Sequence, residues 1–278
     1  MTDPPVTPKS RPLASGDGWA VSEVVCTAGP QDRPYEEQHS RTSIAIVIGG
    51  TFQYQTSTGC ELMTPGSLLL GNAGDCFTCA HEHGKGDRCL SFSYSEEFRE
   101  QVAEGASRSR FRTPRLPPMR DLSSLVARAS EVLSGADPFH HRASFEELGV
   151  RALAQASQLE SGRAPRPAGS EPSSLARVTR VVRSIENDLE VPRDLASLAQ
   201  IARLTPYHFL RVFEAVTGTT PHQYLLRMRL RRAATRLRTE RAKILDIALA
   251  CGFGDISNFN RAFRAEFGVS PRAYRSLA

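Results

Sequence analysis

The residues best suited to chemistry lie between positions 76 and 89: Cys76-Phe-Thr-Cys79-Ala-His81-Glu-His83-Gly-Lys-Gly-Asp87-Arg-Cys89. Five soft or borderline ligands fall within 14 residues. If Cys79 to His83 forms a strand, Cys79, His81 and His83 alternate onto one face. Three N/S ligands on one face suit a tetrahedral divalent ion, zinc first, with Cys76 or Cys89 as the fourth. The spacing is not that of a zinc finger. A redox-sensing thiol pair uses the same cysteines, and so does a sheet core with the histidines turned to solvent. His39 is a further candidate ligand from elsewhere in the chain.

The strands that would position this cluster are legible around it. Ser43-Ile-Ala-Ile-Val-Ile48, Thr51 to Thr56, Ser67 to Leu70 and Arg88 to Tyr94 read as strands, with Gly49-Gly50 and Thr64-Pro-Gly66 as turns. Short strands at this spacing predict a small barrel or sandwich. From Ser95 to Leu159 the pattern turns helical. Leu122, Leu125, Val126, Ala129 and Leu133 mark one helical face, and a second helix starts at Ser144 as N-cap. These helices cover the sheet or form a dimer seam. Residues 161–174 have almost nothing to bury and read as a linker; residues 1–18, with no apolar run, read as a disordered tail.

Charge is unevenly placed. The net value is +5, but residues 171–278 hold 18 Lys and Arg against 10 Asp and Glu, and the remainder 17 against 20. A basic half beside a slightly acidic one points to a polyanionic partner for the basic half. No signal peptide and no membrane span is visible, so the expected location is the cytoplasm, where the six cysteines stay reduced or bind metal. No Ser-His-Asp or Cys-His arrangement, phosphate-binding Gly loop or carboxylate pair with supporting context is legible.

The basic half carries an internal repeat. Leu198-Ala199, Leu204, Phe209, Arg211, Phe213, Gly218, Pro221, Tyr224 recur as Ile247-Ala248, Phe253, Phe259, Arg261, Phe263, Gly268, Pro271, Tyr274. Such a period marks a duplicated supersecondary unit. Each unit reads as helix, short turn, helix, with Thr205 and Asp255 as caps of the second helices. Between the units, Thr220-Pro221 starts a long helix with Leu226, Leu230, Ala233 and Leu237 buried and arginines crowding the rest. This is helix-turn-helix grammar, in which the second helix of each unit enters the major groove.

The segment from Asp194 to Arg275 resembles the AraC/XylS DNA-binding domain. The most specific block, Ile247 to Arg275, carries the family's Gly-Phe, Ser, Phe, Arg, Phe, Phe-Gly, Ser-Pro, Tyr-Arg pattern. Residue by residue, the resemblance places Tyr207, His208, Leu210 and Arg211 on the exposed face of the first reading helix. It places Ile256, Ser257, Asn258, Asn260 and Arg261 on that of the second. It implies an α+β chain: an N-terminal cupin-like β-barrel with flanking helices over 19–160, then an all-α tandem helix-turn-helix domain over 175–278. The implied partners are double-stranded promoter DNA, RNA polymerase, a small-molecule or metal effector and a second copy of the chain, with no membrane. The implied role is a transcription regulator and not an enzyme. The competing reading is a cupin-type metalloenzyme with an appended DNA-binding domain, for which the cysteine–histidine cluster would be an open metal site.

Overall fold

The computed structural model describes residues 6–82, 86–102, 110–134, 141–161 and 171–276. The first half pairs its strands into two sheets. One has the order β1 (Lys9–Gly16), β2 (Trp19–Cys26), β9 (Asp87–Tyr94), β4 (Thr42–Gly49), β7 (Leu68–Gly71), β10 (Arg115–Leu116). The other has the order β3 (Glu36–Gln38), β8 (Cys76–Ala80), β5 (Phe52–Thr56), β6 (Gly59–Met63). Among the described residues no ladder joins the two sheets, so the expected closed barrel is replaced by a two-sheet sandwich. The expected disordered tail is also corrected from Lys9 onward. β1 pairs antiparallel with β2 through Lys9–Val25 to Gly16–Trp19, and Arg11 pairs with Glu23.

The inner strands β4 and β7 of the larger sheet are buried on both faces, which explains why they are almost continuously apolar, while the edge strand β1 is largely exposed. Ile44, Ile46, Leu68, Leu70, Leu90 and Phe92 face the helices. Ala45, Val47, Leu69 and Cys89 face Phe52, Tyr54 and Met63 of the smaller sheet. The helical cover consists of α1 (Glu96–Val102), α2 (Ser123–Leu133) and α3 (His141–Ser161). Leu125, Val126, Ala129, Leu148 and Ala152 complete the core against the sheet. Ser144 lies inside α3, a turn past its start, so it is not the N-cap.

The second half is helical: α4 (Pro172–Asn187), α5 (Leu195–Ala202), α6 (Pro206–Thr217), α7 (Pro221–Thr239), α8 (Ile244–Leu249), α9 (Ile256–Phe267) and α10 (Pro271–Ser276). The expected linker thus ends at Glu171; Pro172 opens α4 at a position that needs no N–H. Leu175, Val178, Val181, Val182 and Ile185 of α4 join Phe209 and Phe213 in the core of the first repeat unit. Leu230, Ala233 and Leu237 of α7 join Ile247, Cys251, Phe259 and Phe263 in the core of the second.

The halves are pinned together by arginines. Arg115 donates to the carbonyls of Val216 at 2.9 Å and Thr217 at 3.3 Å, where α6 ends. Arg231 of α7, only 6% exposed, donates to the carbonyls of Met119 at 3.2 Å and Pro65 at 3.5 Å. Arg238 pairs with Glu131 of α2 at 3.0 Å.

Candidate nucleic-acid interface

Both second helices of the repeat are built by their caps. The Thr205 side chain accepts from the His208 amide, and Pro206 supplies the preset φ of the first helical position. The Asp255 carboxylate accepts from the Asn258 amide at 2.7 Å. Both helices end at a left-handed glycine, Gly218 and Gly268. The phenylalanine pairs Phe209/Phe213 and Phe259/Phe263 are fully buried and fix which face remains outside.

That outer face carries the expected residues. Tyr207 is 71% exposed, His208 and Arg211 are exposed, and Leu210 is partly buried. Ser257, Asn258, Asn260 and Arg261 are exposed, and Ile256 packs partly into its unit's core. Arg211 lies over the Tyr207 ring, and Arg261 donates to the Asn258 side chain at 3.3 Å. Neither arginine makes an ion pair among the described residues, so each keeps donors for a base edge or phosphate.

The arginines of α7 behave differently from a phosphate-tracking strut. Arg229 donates to the carbonyls of Leu189 at 2.7 Å and Val191 at 3.0 Å. Arg227 donates to Pro118 and Thr219, and Arg236 holds Glu240 through two bonds. With Arg231 and Arg238 bound to the first half, most of the strut's charge is spent inside the molecule. Exposed basic residues remain on the outer faces of α6 and α9, Arg211, Arg261 and Arg264, and elsewhere in the helical half, Arg203, Arg241, Lys243 and Arg272 among them.

A second site lies between the two sheets, a cavity of about 310 Å³ whose walls include Val24, Phe52, Phe77, His39, His81 and Cys26. His39 sits between Ser43 Oγ at 2.9 Å and Tyr54 Oη at 2.8 Å, stacked on Phe77. Burial pulls its pKa down to about 4, against the opposing pull of Asp75, so the ring is neutral at pH 7.

The cysteine–histidine cluster is only partly assembled. Cys79 and His81 line the cavity, and Cys89 lines it from the facing sheet. Cys76, an odd number of positions from Cys79, falls on the opposite strand face and is exposed, so it does not join them. His83 lies outside the described residues. Among the described residues no group of three His, Cys, Asp or Glu is placed to hold a metal ion. Burial also pushes the Cys79 and Cys89 thiols up.

What the structure does assemble was not legible. His81 bridges Cys26 and Asp87, with Cys26 Sγ to Nε2 at 3.4 Å and Nδ1 to Asp87 Oδ2 at 2.6 Å. Burial alone would lower the His81 pKa, but Asp87 and Cys26 together raise it to about 9. His81 and Asp87 stand close in sequence, but Cys26 is 55 residues from His81; only the pairing of β2 with β9, Cys26 opposite Asp87, brings it to them.

The family described as Helix-turn-helix domain matches residues 198–276. The chain is 36% identical over 91 residues to the probable transcriptional regulator LumQ of Photobacterium leiognathi, covering 33% of this chain and 37% of that protein. It is 33% identical over 98 residues to the HTH-type transcriptional activator AarP of Providencia stuartii, covering 35% of this chain and 73% of that protein. Among solved structures it resembles an AraC-type transcriptional regulator from Chromobacterium violaceum. Identity there is 31%, over 37% of this chain and 93% of that chain, with a TM-score of 0.35. The chain spans about a third of the length of the first curated relatives it matches.

Proposed function

The chain belongs to the AraC-type family of transcriptional regulators, and from that premise we propose that it regulates promoters by reading DNA with α6 and α9 while its sheet half binds an effector. The observation that carries the reading is the pair of capped helices, each buried on a phenylalanine face and each presenting Arg with polar neighbours outward. Arg pairs with guanine O6 and N7, and Asn with adenine N6 and N7. The strut α7 has 19 residues, or about 28 Å at 1.5 Å per residue, of the order needed to reach successive major grooves.

The effector side is supported by the cavity, whose size is within the range of small-molecule sites. It is enclosed by the sheet that also touches the helical half, so occupancy has a route to the reader. Its consequence is exerted at promoter DNA, with RNA polymerase as the downstream partner.

The test is selection of bound sequences from a random duplex pool by the full-length protein, followed by binding of the selected duplex by wild type and by an Arg211→Ala/Arg261→Ala variant. A selected consensus that the variant no longer prefers is the expected result. An unenriched pool, or equal preference by both proteins, overturns the reading.

A further inference from the structure

The cavity contains more than a binding surface. Cys26 is partly accessible and opens onto it, and among the described residues it is the cysteine whose sulfur contacts an imidazole. His81 is nearly enclosed, its side chain 6% exposed, and is oriented from behind by Asp87, 3% exposed. The other Asp87 oxygen, Oδ1, has no hydrogen-bond partner, so His81 alone answers that oxygen pair. An imidazole held in this way, one nitrogen on a carboxylate and the other on a thiol, is the arrangement that activates a sulfur nucleophile. The remaining thiols lack it. Cys79 and Cys89 are held by apolar surroundings, and Cys76 lies on the outside of the sheet.

From this geometry we infer that Cys26 is a covalent capture site for small, mainly apolar soft electrophiles of the α,β-unsaturated carbonyl class, with His81 moving the proton and Asp87 holding His81. The inference gives a chemical class to the effector proposed above and rests on that reading for its regulatory meaning. The walls suit such a molecule: Phe52, Phe77, Val24 and Leu69 are apolar, and the volume admits a single ring with a short chain. The step balances without a co-reactant. Cys26 Sγ and His81 Nε2 share one proton across their contact; with that proton standing on Nε2, the sulfur forms a bond to the β-carbon. The π electrons of the C=C bond shift to give an enolate, and His81 returns the proton to the α-carbon. The net change is addition of S–H across the double bond.

The site is also one contact from the reader. A β-carbon on Gly50 would lie 2.2 Å from Asp87 Oδ1, and the Gly50 amide donates to Glu186 of α4 at 2.9 Å. A change at His81–Asp87 therefore meets the first element of the helical half through a single residue.

The experiment uses the full chain, reduced, with cinnamaldehyde as the probe, adduct sites being mapped by peptide mass spectrometry. The first equivalent is expected on Cys26, ahead of the more exposed Cys76, and a bulky maleimide on a polyethylene glycol chain should reverse that order because it cannot enter the cavity. His81→Gln should slow Cys26 labelling, on the order of 10²-fold, while leaving Cys76 labelling unchanged. First labelling at Cys76 or Cys60, or an unchanged Cys26 rate in His81→Gln, overturns the inference. The within-protein comparison of Cys26 with Cys76 needs no variant. Adducts are read by mass, so this result is decided separately from DNA selection.

Discussion

The backbone amide of Gly50 donates to the carboxylate of Glu186 across 2.9 Å, joining the turn after β4 to the helix that opens the second half. Gly50 has φ +80, a left-handed conformation, and Asp87 lies so close that a side chain there would collide with it. A carboxylate thus meets the sheet half at a point where another carboxylate is already buried.

The electrostatic consequence is a pH dependence of stability. Burial, with Asp87 adding to it, raises the Glu186 pKa to about 7, although the Gly50 amide and Arg183 pull the other way. The folded chain therefore holds a proton that the unfolded chain has already released between about pH 4.5 and 7. Stability falls as pH rises through that window, and the loss is complete above it. Glu186→Gln keeps an acceptor for the Gly50 amide and should remove this component, worth at most about 3 kcal/mol. Urea denaturation at pH 5 and pH 8 checks it: the variant should gain on the wild type at pH 8 and be level with it at pH 5.

Gly66 gives a second prediction. Its φ is +89, and an added β-carbon would lie 1.5 Å from Arg231 Nη1. Arg231 is enclosed between the halves and has nowhere to retreat without breaking its bonds to Pro65 and Met119. Gly66→Ala should cost roughly 2–4 kcal/mol from backbone strain and overpacking together. A lowered denaturation midpoint is expected; a midpoint equal to wild type would mean that Arg231 is not a fixed pin.

How much of this was legible follows from which interactions are local. The caps Thr205, Thr220 and Asp255 and the phenylalanine faces were readable because each depends on residues a few positions apart. The stripe of α4 was equally readable in principle, Leu175, Val178, Val182 and Ile185 at 3-4 spacing, but the polar run before it drew the boundary too late. The two-sheet topology was not, since β2 pairs with β9 across more than sixty residues. The cavity chemistry depends on that same pairing. Cys26 has no neighbouring ligand in sequence, and Cys76, which has several, lies on the outer face. The arginines of α7 looked like a polyanion surface because composition counts charges without counting their partners.

Arg229 separates those two views. Its guanidinium holds the Leu189 and Val191 carbonyls, in the segment between α4 and α5. Arg229→Ala should cost roughly 1.5–3 kcal/mol of stability through the two lost charge-assisted bonds. It should leave the salt dependence of DNA binding unaltered at temperatures where the variant is folded. A shallower salt slope with unchanged stability would instead make Arg229 a phosphate ligand.

Arg261 should show the opposite behaviour. It stands on the exposed face of α9, nearly two turns past the Asp255 cap, with Asn258 beside it and Phe259 and Phe263 anchoring the helix from behind. Removing its side chain leaves the core and the cap untouched, so the melting transition should stay where it is. If the guanidinium makes a bidentate contact with a guanine, its loss removes discrimination at that base pair alone, about 1–3 kcal/mol, and leaves preferences elsewhere in the site intact. A purely phosphate role would weaken every sequence alike and lower the salt slope by about one. A panel of duplexes carrying each single base-pair change, titrated with wild type and Arg261→Ala at two salt concentrations, distinguishes these outcomes. The expected pattern is one position at which the wild type discriminates and the variant does not. Identical profiles for the two proteins would remove Arg261 from the reading face and leave Asn258 and Asn260 to specify that half-site.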